Sequence, residues 1–216
     1  MTLLKAIAFI GYGELAKQLH AFLTNDVTEF ICFDDASLKA GNENAFPFQS
    51  YADEKFQLYE FIVALGYLHL QKKKAIVDEL LGRKRKLFSF VHPSCFVNNA
   101  ATVKEGSFLY PMCNVDKDAS IGAAALLNNS VCISHNTVIG DCCYLSPGVV
   151  TSGFVEIGDC TFIGTGSVIS DNIKIGKNVT IGPGSVITKD IPDDCSVIGN
   201  PARILSRPLN LSRNEA

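Results

Sequence analysis

Every sixth residue from Val91 to Ile187 is aliphatic, with Thr151 the single lapse. Four places after each stands a second residue, usually small or β-branched: Cys95, Ala101 and Ser107 at one end, Val179, Ser185 and Ile191 at the other. The two registers stay in phase without insertion or deletion. Six is neither the period of a helix nor that of a strand. A fixed internal period of this kind means a solenoid, in which each repeat buries its apolar side against its neighbours.

A strand of about four residues and a turn of about two use up one period, and three such segments close a triangular coil. The aliphatic position points into the triangle, and the small position fits beside it near a corner. Gly or Asn directly after the aliphatic residue, as in Ile139-Gly140, is expected to supply positive φ at the turn. Coils stacked about 4.8 Å apart form parallel sheets, and this stretch supplies about five to six of them, a prism roughly 25–30 Å long.

The repeat also accounts for the cysteines. Eight of them would suit a secreted disulfide scaffold. Cys95, Cys113 and Cys143, however, fall on the small inward position, where a thiol packs as a small hydrophobe. Adjacent Cys142 and Cys143 are expected to face opposite ways on a strand. The thiols are read as reduced and structural, in a cytoplasmic protein. With 47% hydrophobic and 19% charged residues, the chain buries a real core. A net charge of −3 offers nothing to nucleic acid. No apolar run reaches the roughly 18 residues that a membrane span needs. The opening "MTLLKAIAFIGYG" reads as a first strand and not as a signal peptide.

Residues 1–88 follow another rule. "AIAFIGYGELAKQLHAFL" is an apolar strand, a glycine turn and an amphipathic helix; "FICFDD" and "YEFIVALG" are two further strands, and "LHLQKKKAIVDELLGRKRK" is a basic helix. Alternating strands and helices imply a small parallel, Rossmann-like α/β sheet. Gly11-Tyr12-Gly13 resembles a dinucleotide turn without its third glycine, a weak signal. Such a turn still aims backbone N–H groups at a phosphate. Asp34, Asp35 and Gly66, at strand ends, complete a candidate nucleotide-sugar site. The plainer reading is a tight turn and a strand-end cap. The Lys72–Lys74 and Arg83–Lys86 runs read as a solvated helix face.

A filled prism leaves its chemistry on the outside. His135 follows an inward Ile133 by two places and so stands outside, near a corner, where an imidazole serves as a general base. Gly153 lies eighteen residues on, one coil along the same corner, roughly 5 Å away along the axis. A zinc hydratase on such a prism needs three histidine ligands, and the repeat has only His92 and His135, so no metal is expected.

The segment "NNSVCISHNTVIGDCCYLSPGVVTSGFVEIGDCTFIGTGSVI", the segment "IKIGKNVTIGPGSVITKDIPDDCSVIGNPARIL" with its "GNPAR" ending, and the "VHPS" entry resemble the sialic-acid O-acetyltransferase and bacillosamine-type N-acetyltransferase family. The resemblance covers most of the chain. It implies a left-handed parallel β-helix over residues 89–205, after a nucleotide-sugar-binding domain at 1–88 and before a tail at 206–216. It implies a homotrimer, with acetyl-CoA in the groove between neighbouring β-helices and a nucleotide-linked amino sugar as acceptor, for surface polysaccharide. On these residues His135 is the catalytic base, Asn136 and Asn128 stand near it, and the backbone N–H of Gly153 faces the thioester. Gly164, Thr165, Gly182 and Pro183 line the pantetheine path on the next corner, and Lys189 and Arg203 meet the CoA phosphates. The chain departs from the family where an acid commonly follows the histidine, here Asn136. It departs again at Tyr144 and Leu15, each in place of a family histidine. Three alternatives stay open: a hydroxyl acceptor, a longer acyl chain, and a non-catalytic nucleotide-sugar scaffold.

Overall fold

A computed structural model describes residues 5–23 and 27–209. Residues 1–4 of the opening stretch and residues 210–216 of the expected tail lie outside the described residues. The chain divides into two compact units, Met1–Phe88 and Ser89–Ala216. Among the described residues no helix is long and apolar enough to cross a membrane.

In the first unit the elements run β1 (Lys5–Ile10), α1 (Glu14–Ala21), β2 (Val27–Phe33), α2 (Asp35–Lys39), β3 (Ala45–Phe46), β4 (Glu60–Val63) and α3 (Leu70–Gly82), with short 3-10 turns between. The sheet is parallel, in the order β3-β2-β1-β4. Ile7, Ala8, Phe9 and Ile10 are fully buried, as a central parallel strand covered on both faces must be. Helix α1 turns Ala16 and Leu19 inward, and α3 turns Leu70, Ile76, Val77 and Leu80. Sequence reasoning missed α2 and the two-residue edge strand β3. It also ran the second strand to Asp35, whereas β2 ends at Phe33 because extended Asp34 caps α2. Helix α3 stops at Gly82, short of the second basic run. Lys72 lies over the Phe48 ring, and Lys74 and Arg83 pair with Asp78 and Glu79 on their own helix.

The second unit is a left-handed parallel β-helix. Three parallel sheets form its faces. The first runs from Phe96–Val97 to Val186–Ile187 and the second from Thr102–Val103 to Lys174–Ile175. The third starts at Phe90–Val91 and ends with the antiparallel pair Ser196–Gly199 and Ala202–Ile204. Each residue stacks on the one eighteen places on, as Ile121 does on Ile139. The aliphatic register forms one continuous core with the small register. Burying each large aliphatic side chain contributes about 1.5–3 kcal/mol.

Three details differ from the sequence reading. The strands are two residues long, so corners consume more of each period than expected. Positive φ falls three places after the aliphatic residue, at Ala124, Asn136, Cys142, Phe154 and their equivalents, not directly after it. The glycine directly after it serves another purpose: a Cβ on Gly140 would stand 2.6 Å from the Asp159 amide nitrogen in the next coil. Finally, Cys142 is as buried as Cys143, although it sits at a corner.

The small register is polar for a reason. Ser107, Thr137, Thr161 and Ser167 donate their hydroxyls to the backbone oxygens of Gly122, Ser152, Gly176 and Gly182, corner carbonyls that would otherwise be buried. Cys113 and Cys143 place their thiols toward the matching oxygens of Asn128 and Gly158. Burial pushes the Cys113 thiol up to about 12, and it raises Cys143 as well. These thiols are inert at neutral pH.

Candidate active site

The corner between the first and second faces carries His135. The backbone turns there because Asn136 takes φ +57, a region asparagine tolerates better than most residues. The amide of Asn136 bonds to the Lys117 oxygen in one neighbouring coil, and the His135 oxygen accepts from the Phe154 amide in the other. The imidazole therefore hangs from a fixed rung, exposed to solvent.

The ring lies against Gly153. A Cβ on that residue would stand 2.5 Å from His135 Cε1 and 2.8 Å from Nε2, so no other residue leaves the ring where it is. Phe154 meets the ring edge-on at 5.2 Å between centroids. Asn136 Oδ1 lies 3.1 Å from His135 Nδ1. An amide oxygen only accepts, so the neutral tautomer that keeps this bond has its proton on Nδ1 and its lone pair on Nε2. A neutral imidazole with a free Nε2 beside a backbone turn can take a proton from an incoming nucleophile.

The expected partners divide between two corners. His135, Asn136 and Gly153 come together. Asn128 does not join them within the chain. It lies on the corner between the third and first faces, with Oδ1 accepting from the Asn129 amide and Nδ2 donating to the Tyr144 hydroxyl at 3.4 Å. Gly164, Thr165, Gly182 and Pro183 stack on that same corner, where the Thr165 oxygen accepts from Gly184 and a Cβ on Gly164 would stand 2.5 Å from the Pro183 nitrogen. The whole first face separates them from His135. Its outer column is largely apolar and solvent-facing, with Phe96, Val150 and Val168 exposed.

Lys189 lies on the His135 corner three coils further on, roughly 14 Å along the axis at the strand spacing. It and Arg203 line one pocket of about 180 Å³ with Thr188, Pro201 and Ala202. A hollow of about 620 Å³ is on the second face around Val138, Glu156 and Lys174. His135 does not line it.

In the first unit Gly11, Tyr12 and Gly13 follow β1, Asp34 and Asp35 follow β2, and Gly66 follows β4. The expected residues thus gather at the carboxyl ends of three adjacent parallel strands, where open α/β sheets bind ligands. Both carboxylates already hold backbone. Asp34 accepts from the Ser37 and Tyr12 amides, and Asp35 from Phe48. Burial would raise Asp34, but these hydrogen bonds outweigh it and hold the carboxyl below its usual range. The Tyr12 ring is stacked on Phe30, and its hydroxyl is hydrogen-bonded to His20 Nδ1 at 2.6 Å. Burial lowers His20 and raises Tyr12.

Sequence reasoning missed Phe154. Its signal was an aromatic residue at a positive-φ position, φ +56, where neighbouring coils of the same corner carry Asp118, Asn136 and Asn172. Among the described residues there is no cluster of three His, Cys, Asp or Glu side chains able to hold a metal ion.

The bacterial transferase hexapeptide family (six repeats) matches residues 154–189. No curated protein gives a sequence match. The acetyltransferase domain of PglB from Neisseria gonorrhoeae is 28% identical, with a TM-score of 0.81 over 93% of this chain and 100% of that one. A further structure of that domain contains acetyl coenzyme A. The fold is also that of a perosamine N-acetyltransferase mutant from Caulobacter crescentus solved with CoA and GDP-perosamine, at 22% identity and a TM-score of 0.84 over 95% of this chain and 98% of that one. WeeI from Acinetobacter baumannii is 23% identical, with a TM-score of 0.79 over 94% of this chain and 100% of that one.

Proposed function

We propose that this left-handed β-helix acyltransferase moves an acetyl group from acetyl-CoA to the amine of a nucleotide-linked sugar. The observation that carries the reading is the imidazole of His135 laid on Gly153 with Nδ1 held by Asn136. The sugar amine attacks the thioester carbonyl, and His135 Nε2 takes the proton the amine loses. The backbone N–H at Gly153 stabilises the oxyanion of the tetrahedral intermediate. The C–S bond then breaks, and the CoA thiolate takes up a proton. A base of this kind is worth about 10²–10⁴ in rate, and an oxyanion donor about 10²–10³.

The donor would lie along the β-helix axis, thioester at Gly153 and phosphates at Lys189 and Arg203. The pantetheine arm would run between Gly153 and Lys189, which are two coils apart, roughly 10 Å along the axis at the strand spacing. The other wall of that groove, Gly164, Thr165, Gly182 and Pro183, is on the far edge of the first face. A single chain therefore does not close the groove. A second copy packed on the apolar first face does, in a homotrimer, and it also brings an Asn128 toward His135. The nucleotide would sit at the strand ends of the first unit, against the backbone of Gly11, Gly13 and Gly66. Asp34 and Asp35 would hold the loops there, since their oxygens already accept backbone amides.

Thiol release from acetyl-CoA, measured against a panel of uridine- and thymidine-diphosphate 3-amino and 4-amino sugars, tests the reading. Turnover with one amino sugar, lost in His135→Ala while the oligomer persists, is the expected result. Unchanged turnover in the variant would sink the assignment of the base.

A further inference from the structure

Thr151 is the one position where the aliphatic register lapses, and it lies fully buried in the coil that carries Gly153. An isoleucine or valine there would fill the prism as its neighbours do. A buried hydroxyl costs free energy unless it is hydrogen-bonded. Here the Thr151 hydroxyl oxygen accepts the backbone N–H of Ser134, the residue before His135, at 3.2 Å.

The neighbouring rungs of the same edge are built otherwise. The amides of Asn98, Asp116, Ser152 and Ser170 each donate to the backbone oxygen of the residue in the next coil, Val115, Ile133, Ile169 and Ile187, all at 2.9 Å. At the His135 rung a side-chain oxygen takes the place of that carbonyl. A second threonine closes the other side of the turn: Thr137 donates its hydroxyl to the Ser152 oxygen at 3.0 Å. Residues 134–137 are thus stitched to residues 151–154 by one hydroxyl on each flank. Between the stitches the His135 ring faces Gly153.

We infer that Thr151 is a positioning residue for His135. By taking the Ser134 amide on Oγ1, it sets the tilt of the Ile133–Ser134 peptide that leads into His135, and so the direction in which the imidazole leaves the backbone. The inference rests on the role of His135 proposed above.

Two variants separate positioning from packing. Thr151→Val keeps the shape, removes the hydroxyl and restores the aliphatic rule, so it should fold at least as stably. Thr151→Ser keeps the hydroxyl and leaves a methyl-sized void, so it should be less stable. Positioning makes catalysis run the other way. Thr151→Val loses about 5-fold in kcat, the effect of one hydrogen bond, with the KM for acetyl-CoA unchanged. Thr151→Ser stays within about 2-fold of the parent enzyme. A packing role alone would rank the two variants the same way in stability and in rate, and that result overturns the inference. Crystal structures of both variants supply a readout that needs no turnover. The His135 ring should leave Gly153 in the valine variant and stay on it in the serine variant. A ring unmoved in Thr151→Val contradicts the inference even if no acceptor is ever found. If the ring moves in a protein without transferase activity, the fault lies in the proposed reaction and not in the positioning.

Discussion

The two units solve the same problem, hiding backbone and apolar surface, in opposite ways. The β-helix repeats one solution, so a residue is constrained by what stands eighteen places before and after it. The first unit has no repeat. Its sheet is closed by particular partners, such as the Asp34 carboxylate holding both the β1 turn and the start of α2. A side chain added at a β-helix glycine that directly follows an aliphatic residue meets a neighbouring coil; in the first unit it often meets open space. Gly140 and Gly82 mark the contrast, with a backbone nitrogen 2.6 Å from the added Cβ in one case and nothing within 4 Å in the other.

That contrast breaks most visibly by mutation. Gly140→Val should cost about 3 kcal/mol or more and collapse several coils, because a backbone cannot step aside. Gly82→Ala, at the end of α3, should raise stability by about 0.5–1 kcal/mol. Denaturant unfolding of the two variants checks the pair. Equal effects would erase the distinction between the units.

Gly153→Ala sharpens it. The added methyl meets only the His135 ring among its nearest atoms, a side chain free to swing outward. Stability should barely change, while acetyl transfer should fall about 10²-fold from the misplaced base. Thermal unfolding alongside the rate assay separates the two.

The smallest effect concerns pH. His20 in the folded first unit lies below its ordinary value of 6.5, through burial, so between the two values the unfolded chain binds more protons. The stability this histidine contributes is present above that ordinary value and is lost as pH falls through the folded one. Asp34, also held low, adds a second loss below its ordinary 3.8. Protection of the β1 and β2 amides, taken relative to the intrinsic exchange rate at each pH, should therefore fall on acidification from pH 7 to 5, before that of the β-helix core, and His20→Gln should flatten the change.

Legibility in the sequence tracked the same divide. The period, the inward registers and the outward His135 were all readable, because a solenoid writes its geometry into spacing. The purpose of the glycine after each aliphatic residue was not. Close approach between coils eighteen residues apart leaves the same mark as a demand for positive φ. In the first unit α2 and β3 escaped notice because five- and two-residue elements carry no period. Asp34 and Asp35 looked available to a ligand because sequence does not reveal hydrogen bonds to Tyr12 or Phe48. Thr151 stood out as a lapse, but only its contact with Ser134 says what the lapse does.

The proposal that the groove draws one edge from each of two copies is open to direct test. His135→Ala removes the base from one edge, and Thr165→Trp would block the other. Each variant alone should be inactive. Co-refolded in equal amounts, they should recover about a quarter of the parent acetyl-transfer rate, since about that share of two-copy sites draws both edges intact. No recovery from a mixed oligomer, or full activity of Thr165→Trp alone, would contradict a site shared between copies.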